Sequence, residues 1–259
     1  MPSFSRLIRF LATDGRTYYG DALLPKGVTD IAKTKQARVV VGDIFGKHEV
    51  TDEIVDVRLL LSPLAPEDVR TSLSGPTDPI PVPLMAQEGA GLDYECELVA
   101  VIGKKCANVP EARALDFVLG YAVGNDISHR DWQLKRGGGQ WSLGKGFDGW
   151  APWGPGIVSR DLITNPQSLN ITTRVNGDIA QQSDTSDMIF SVRQAVSFLS
   201  QGTTLLPGDV IFTGTPQGVG MGRKPPVWLK DGDVVEVELE NVGTCTNAVQ
   251  FVTATTAKL

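Results

Sequence analysis

Histidine and cysteine are scarce in this sequence. Its 259 residues include two histidines and three cysteines, and Cys96, Cys106 and Cys245 are widely spaced, with no Cys-x-x-Cys pair. Each cysteine is therefore expected to be a small buried hydrophobic residue in a reducing compartment, and not a metal ligand or a catalytic group. A chain of this length buries enough surface to fold without disulfides or a structural metal, so any bound metal would be functional.

Positive charge is in deficit and long apolar runs are missing. Lys and Arg number 24 against 30 Asp and Glu, which gives a net charge of -6. No basic run is long enough to follow a phosphate backbone. No stretch approaches the roughly 20 apolar residues that a membrane-spanning helix needs. We therefore expect a soluble protein with neither nucleic acid nor a membrane as a partner.

The first residues allow two interpretations. Two serines and two arginines precede the first acidic residue, Asp14, which is typical of a mitochondrial transit peptide. The alternation of apolar and polar residues between Phe4 and Phe10 instead favours a β-strand. A cytoplasmic location is the expectation that follows, and a mitochondrial one is the alternative.

Turn signals and prolines suggest two parts. Short β-rich runs between residues 4 and 57 are separated by turns such as Asp14-Gly15, so residues 1–66 are predicted to form a small N-terminal β-rich subdomain. Six prolines follow between Pro63 and Pro83, which favours a linker or an extended edge over regular structure. Residues 67–259 are predicted to form the second, larger domain.

The larger part is predicted to be mainly β with flanking helices. The pair Asn176-Gly177 predicts a hairpin because both residues tolerate positive φ. Apolar residues at i, i+3, i+4 and i+7 predict an amphipathic helix over residues 191–200. Strands are predicted at residues 94–102, 120–126, 210–213 and 234–239, and a short helix opened by a proline at 110–119.

Two glutamates on one predicted strand suggest a metal site. Glu95 and Glu97 are two residues apart, so on a strand their side chains project from the same face, followed on that face by Val99 and Val101. Two carboxylates in a semi-buried patch need protons, cationic side chains or a metal, and a hard divalent cation such as Mg²⁺ prefers oxygen ligands. Alternatively, both glutamates lie on the wet face of an edge strand and pair with lysines.

Asp126 and Lys145 are further candidates. Asp126 ends an apolar run, where a strand delivers a side chain to the rim of a sheet, although an Asp there also suits a helix N-cap. Lys145 lies in a loop rich in glycine and aromatic residues, which lets the backbone and one cation approach a ligand closely. Most lysines are simply solvated, so the position of Lys145 indicates a site only together with other candidate residues.

Four linked motifs resemble one family. They are Asp93-Tyr94-Glu95-x-Glu97-Leu98, Asn125-Asp126-x-Ser128-x-Arg130-Asp131-Trp132-Gln133, Gly144-Lys145-x-Phe147-Asp148 and Thr213-Gly214-Thr215-Pro216-x-Gly218-Val219-Gly220. Their residues, order and spacing resemble the fumarylacetoacetate hydrolase family over about residues 72–247. The resemblance implies an α+β fold with a mixed β-roll core and flanking helices, and a homodimer.

The resemblance also implies a site. It implies a Mg²⁺, Mn²⁺ or Ca²⁺ ion held by Glu95, Glu97 and Asp126. By the same motif matching, Lys145 would meet the substrate near the metal and take part in catalysis. Arg130 and Gln133 would line the pocket, and Thr215 would bind a substrate carboxylate.

The resemblance implies chemistry on 2-oxo or β-diketo acids. Related members hydrolyse C–C bonds, decarboxylate or exchange keto and enol forms, and each reaction passes through an enolate whose charge a divalent ion can stabilise. C–C hydrolysis of an acylpyruvate-like substrate is the first expectation, with an oxaloacetate-type decarboxylase or a tautomerase as the alternative. A catalytically inactive homodimer that binds metal and ligand is the alternative from another class.

One segment departs from the family pattern. Members normally carry a lid with an Asn-Tyr and a His-x-x-Glu before the Ser-x-x-Gly-Pro segment, whereas here residues 65–70 run directly into Thr71-Ser72-Leu73-Ser74-Gly75-Pro76. The His-Glu pair, which resembles a water-activating base, is therefore expected to be absent. His129, three residues after Asp126, is the candidate catalytic histidine in its place. The loss weakens the case for hydrolysis most, because hydrolysis needs an activated water.

Overall fold

β-strands dominate the computed structural model, which describes residues 3–66, 71–89 and 91–253. The first eight strands are β1 (Arg6–Ala12), β2 (Thr17–Leu23), β3 (Gln36–Gly42), β4 (His48–Leu60), β5 (Leu73–Ser74), β6 (Ile80–Val82), β7 (Leu92–Asp93) and β8 (Cys96–Ile102). The later strands are β9 (Val118–Asn125), β10 (Ser128–His129), β11 (Ala151–Ser159), β12 (Asn170–Val175), β13 (Asp178–Asp184), β14 (Val210–Phe212), β15 (Val234–Leu239) and β16 (Gly243–Phe251).

Helical structure is limited to short segments between the strands. The described residues include one α-helix, α1 (Val192–Leu199). Tighter turns of 3₁₀-helix lie at Ile31–Lys33, Leu84–Ala86, Glu111–Phe117, Trp141–Gly144, Thr185–Asp187 and Gly220–Gly222, and a π-helical turn lies at Trp132–Arg136. The fold is therefore mainly β with few helices, as the sequence predicted.

The larger sheet joins strands from both ends of the chain. Its order is β14-β8-β9-β11-β1-β2-β3-β4, with β5 paired to β11 outside this path. The long strand β4 also pairs with β1, with Phe10 opposite Leu60, so the four N-terminal strands close on themselves. β1 pairs in turn with β11, with Arg6 opposite Val158. The N-terminal strands are thus continuous with the sheet that carries the later ones.

A second, five-stranded sheet packs against the first. Its order is β13-β12-β15-β16-β6, and β15 and β16 contact β9 of the larger sheet. The prolines of the Pro-rich passage lie partly at its edge, where β6 with Pro81 pairs in parallel with β16. Large side chains fill the core, among them the fully buried Trp150, Trp153, Tyr94 and Tyr121.

The local signals in the sequence correspond to the observed elements. Asn176 and Gly177 have φ of 53° and 87° and join β12 to β13, so the predicted hairpin is confirmed. Ser191 caps α1 through a capping box with Gln194, which confirms the predicted helix. The segment expected as a helix at 110–119 is a 3₁₀-helix, Glu111–Phe117, that follows Pro110. The three cysteines are buried and free, as expected.

The predicted strand over residues 94–102 begins two residues late. β8 starts at Cys96 because the N–H of Glu95 donates to the side-chain Oδ1 of Asn125 at 2.9 Å, and not to a strand partner. The N–H of Asp126 donates to the carbonyl of Glu95 at 2.9 Å, which keeps the two chains together. Glu95 therefore stands just ahead of the strand, beside the end of β9.

Two expectations are not decided by the structure. The boundary at residue 66 and the missing lid concern a segment that includes residues 67–70, which lie outside the described residues. Both stay predictions.

Within residues 3–66, 71–89 and 91–253, no helix combines the length and apolarity that crossing a bilayer requires.

Candidate metal centre

The three predicted metal ligands meet at one end of the β8–β9 pair. In this antiparallel pair Cys96 lies opposite Asn125 and Glu97 opposite Gly124, so the beginning of β8 adjoins the end of β9. Glu97 lies on β8, Glu95 just before it and Asp126 just after β9. Each offers one carboxylate oxygen, and these oxygens all lie within 4.8 Å of one another. The chain register thus brings together acids some thirty residues apart.

Burial makes this acidic cluster costly without a cation. Glu97 is 3% exposed, and its burial, followed by the nearby Asp126 carboxylate, raises the pKa of Glu97 well above its usual range. Burial also raises the pKa of Asp126, even though the Lys145 ammonium acts in the opposite direction. The expectation of a semi-buried patch is met, and the alternative of a wet strand face does not describe these side chains. Ionised carboxylates placed so close together need a positive partner.

Lys145 lies among the carboxylates. It follows the turn Trp141–Gly144, and its Nζ donates to Glu95 Oε2 at 2.8 Å, to Asp126 Oδ2 at 2.6 Å and to Ser128 Oγ at 2.8 Å. Although burial favours the neutral amine, the carboxylates of Asp126 and Glu95 raise the pKa of Lys145, so its side chain remains an ammonium. The Asp126 carboxylate is therefore engaged by Lys145, and the α-helix N-cap that it could have formed is not seen here.

Arg130 supplies a second positive charge. Its Nε donates to Asp93 Oδ2 at 2.9 Å, and its Nη1 pairs with Glu95 Oε1 at 2.7 Å and with Gln133 Oε1 at 2.9 Å. Among the described residues, the Nη2 of Arg130 is buried and has no hydrogen-bond partner. A buried guanidinium nitrogen with a free donor is suited to an anionic ligand, since leaving it unpaired costs free energy.

The glycine-rich loop after β14 approaches the same centre. The N–H of Gly214 donates to Glu97 Oε2 at 2.7 Å, and Thr215 comes next in the chain. Glu97 forms no ion pair in the part of the chain that the structure describes, in contrast to Glu95 and Asp126. The structure therefore brings the predicted residues Lys145, Arg130 and Gln133 to the acids and places Thr215 on the adjoining loop.

His129 is buried but lies on the other face of its strand. Ser128, its neighbour in β10, directs its Oγ to Lys145, and successive side chains of a strand point to opposite faces. The Nδ1 of His129 accepts instead from the N–H of Trp132 at 3.4 Å. Burial lowers the pKa of His129, so its ring is neutral at pH 7. Its catalytic role stays a prediction, and no contact with the carboxylates supports it.

Two residues of the site were not predicted from the sequence. Asp93 is fully buried and accepts from Arg130, from the N–H of Gly220 at 2.6 Å and from the N–H of Met221 at 3.0 Å, so it ties the glycine-rich loop to Arg130. Gln181 on β13 holds the same loop further along. Asp93 stands inside a quoted motif and could have been found there, whereas nothing in the sequence marks Gln181.

The donor set suits a hard divalent cation. Four carboxylates, Asp93, Glu95, Glu97 and Asp126, lie with two cationic side chains, Arg130 and Lys145, so the cluster has a formal excess of two negative charges. Carboxylate oxygens are the ligands that Mg²⁺, Mn²⁺ and Ca²⁺ prefer. Glu95, Glu97 and Asp126 therefore fit the metal that the sequence resemblance implied.

Comparisons with known proteins agree with the motifs. The profile described as fumarylacetoacetate (FAA) hydrolase C-terminal matches residues 56–250. An oxaloacetate tautomerase of Xenopus laevis, named as mitochondrial, is 50% identical over 179 residues, which cover 69% of this chain and 55% of that protein. The chain thus spans less than two thirds of the length of this curated relative.

Solved structures match over nearly the whole chain. A 2-hydroxyhepta-2,4-diene-1,7-dioate isomerase from Mycobacterium marinum has a TM-score of 0.79 and 35% identity, and the match covers 95% of this chain and 98% of that one. A fumarylacetoacetate hydrolase from Exiguobacterium antarcticum has a TM-score of 0.74 and 30% identity, with coverage of 95% and 99%. The fold of this chain thus occurs in proteins of more than one named activity.

Proposed function

Since this chain belongs to the fumarylacetoacetate hydrolase family, whose members are metal-binding enzymes, we propose that it interconverts the keto and enol forms of a small 2-oxo acid such as oxaloacetate. The observation that carries the proposal is the convergence of the Glu95, Glu97 and Asp126 carboxylates beside the Lys145 ammonium and the unpartnered Nη2 of Arg130. Tautomerisation or isomerisation is the activity in the names of two of the relatives described above.

The residues around the centre are suited to a keto acid and its enolate. A divalent ion held by Glu95, Glu97 and Asp126 would supply Lewis-acid stabilisation of the developing charge. The free donor of Arg130, next to Gln133, would bind a carboxylate of the substrate. Lys145 would keep its proton at Nζ and place a positive charge where the enolate oxygen develops.

Keto–enol exchange requires fewer catalytic groups in this site than hydrolysis does. It moves one proton between carbon and oxygen, whereas cleavage of a C–C bond also needs an activated water. His129, the candidate that would replace the lid base, is directed to Trp132 and not to the carboxylates. C–C hydrolysis, which the sequence resemblance placed first, has less support for these reasons, and decarboxylation of oxaloacetate remains the second candidate.

The test follows the enol form of oxaloacetate by ultraviolet absorbance and the products by NMR, with added Mg²⁺, Mn²⁺ or Ca²⁺. We expect the purified protein to accelerate loss of the enol signal, EDTA to abolish the effect, and the product to be keto-oxaloacetate. E97Q should lower the affinity for Mg²⁺ in calorimetry by at least roughly tenfold, since the loss of even outer-shell partners costs about 10–100-fold. The exposed E49Q variant is the matched control.

Other outcomes would identify the alternatives. Pyruvate and CO₂ would indicate a decarboxylase, and cleavage of an acylpyruvate into two acids would indicate a hydrolase. If Mg²⁺ raises the melting temperature while all these substrates remain unchanged, the protein binds metal and ligand without turnover. Any of these three results would contradict the proposed tautomerase.

We also propose that the protein acts as a homodimer. Ile189, Phe190 and Phe198 are 88%, 68% and 77% exposed and line the same groove beside α1. Apolar groups clustered on a surface in this way mark contact sites. We refer to residues 189–199 as the α1 surface, and a second copy of the chain is its proposed occupant.

A further inference from the structure

Every hydrogen-bond donor and acceptor site of the Gln181 side-chain amide has a partner. It lies on β13 and is 2% exposed. Its Oε1 accepts from the N–H of Cys96 at 3.1 Å and from Thr173 Oγ1 at 2.7 Å. Its Nε2 donates to Thr215 Oγ1 at 2.8 Å and to the carbonyl of Pro216 at 2.8 Å. Two acceptor sites and two donor sites are therefore all used.

The orientation of this amide is fixed by its backbone partners. The N–H of Cys96 can only donate and the carbonyl of Pro216 can only accept. If the Gln181 oxygen and nitrogen were exchanged, a donor would face the N–H of Cys96 and an acceptor would face the carbonyl of Pro216, and both hydrogen bonds would be lost. Nε2 must therefore face the loop after β14. This side chain connects the strand that carries Glu97 with the loop that carries Thr215.

The orientation of Gln181 determines what Thr215 can do. Because Nε2 donates to Thr215 Oγ1, the hydroxyl proton of Thr215 points elsewhere. Among the described residues the structure gives this proton no acceptor. Thr215 also follows Gly214, whose N–H is directed to Glu97. A donor without a partner thus lies one residue from a group that touches the metal centre.

We propose that Gln181 is a positioning residue that keeps the Thr215 hydroxyl as a hydrogen-bond donor to the carboxylate of the ligand. The inference rests on the proposed function, because it takes a 2-oxo acid as that ligand. Without the amide donor, the Thr215 hydroxyl would turn back to the protein. Binding of the acid would then weaken while the metal ligands stay in place.

The variant Q181E separates the two ends of the side chain. Once ionised, the carboxylate still accepts from Cys96 and Thr173 but cannot donate, so the Thr215 hydroxyl would donate to it and be lost to the ligand. Q181M removes the donor whether or not the buried acid ionises. We expect the KM for oxaloacetate to rise about tenfold, the effect of losing one hydrogen bond to a charged group. The kcat and the affinity for Mg²⁺ should change less than about twofold by the same reasoning. Q182E, the same change at the exposed neighbouring position, should leave the KM and the kcat unchanged.

A double-mutant cycle with T215V shows whether Gln181 acts through Thr215. If it does, Q181E will add almost nothing to the effect of T215V. An equal rise of KM in both backgrounds, or a parallel loss of Mg²⁺ affinity, would overturn the proposal. Q181M, checked for folding by circular dichroism, repeats the cycle without any new charge.

The affinity for oxalate in the presence of Mg²⁺, measured by calorimetry, provides the same cycle without turnover. A wild-type protein that fails to tautomerise oxaloacetate would contradict the proposed function alone. The affinities of the variants for oxalate would still decide the role of Gln181. If the losses of oxalate affinity in Q181E and T215V add up in the double variant, Gln181 does not act through Thr215.

Discussion

At the scale of single residues, the ammonium of Lys145 lies between two of the carboxylates that we propose as metal ligands. Its Nζ lies 2.8 Å from Glu95 Oε2 and 2.6 Å from Asp126 Oδ2, and the lysine side chain is 19% exposed. A positive charge in this position offsets repulsion between the carboxylates. It also opposes the approach of a second cation. The same side chain should therefore stabilise the metal-free protein and weaken its hold on a metal.

Replacement of this lysine tests both effects. We expect K145M to lower the free energy of unfolding of the metal-free protein by about 1–3 kcal/mol, because partly buried carboxylates lose their counter-charge. The stabilisation produced by Mg²⁺ should become larger than in the wild type. Urea unfolding with and without Mg²⁺ measures both quantities. K230M, at an exposed position, is the control, and a smaller Mg²⁺ effect in K145M would contradict the competition.

At the scale of elements, local signals were predictable and contacts between elements were not. Asn176-Gly177 specifies its hairpin and Ser191 its helix because turn and cap chemistry involve only neighbouring residues. The alternation of side chains along an extended chain predicted that Glu95 and Glu97 share a side, and their carboxylates do meet although Glu95 lies just before β8. The approach of Asp126 depends on the β8–β9 register, which pairs Cys96 with Asn125 and which the sequence spacing does not encode.

The Gln181 contact illustrates the same limit more strongly. Gln181 and Thr215 are 34 residues apart on separate elements, and neither side chain has a local signal for the other. The motif resemblance supplied Arg130 and Gln133, which no residue pattern alone would have selected, and it strengthened the weak signal that the glycine-rich loop gave for Lys145. In this protein, local chemistry predicts the elements, the resemblance predicts the site residues, and tertiary packing decides which of them touch.

The hairpin offers a stability prediction at this scale. Gly177 has φ of 87°, and a Cβ added there would meet nothing within 4 Å, so only backbone strain opposes a side chain. We expect G177A to lower the free energy of unfolding by about 1–2 kcal/mol. Urea denaturation measures the change. G222A is the control, since Gly222 lacks a positive φ and an added Cβ would come no closer than 3.9 Å to Val219. Equal losses in both variants would refute the explanation from backbone strain.

At the scale of the whole molecule, the α1 surface adjoins the site. A groove of about 820 Å³ runs along it, and the residues that line the groove include Phe190, Phe198, Gly214 and Thr215. The groove is mostly apolar, while the centre beside it is charged. A second copy seated on the α1 surface would cover exposed aromatic groups and exclude water near the loop that holds Thr215.

Substitution at this surface should dissociate the proposed dimer. F198D replaces an aromatic side chain, 77% exposed in the single chain, with a charged one, so the fold should persist while self-association weakens. Truncating a hot-spot residue of an interface costs about 2 kcal/mol or more, which corresponds to a dissociation constant raised roughly 30-fold. Sedimentation velocity over a range of concentrations measures the change, with circular dichroism to verify folding. I54D, at an apolar position on β4 that is 52% exposed and outside the α1 surface, should sediment as the wild type does. A wild type that remains a monomer, or an F198D variant that remains dimeric, would show that the α1 surface does not pair two copies.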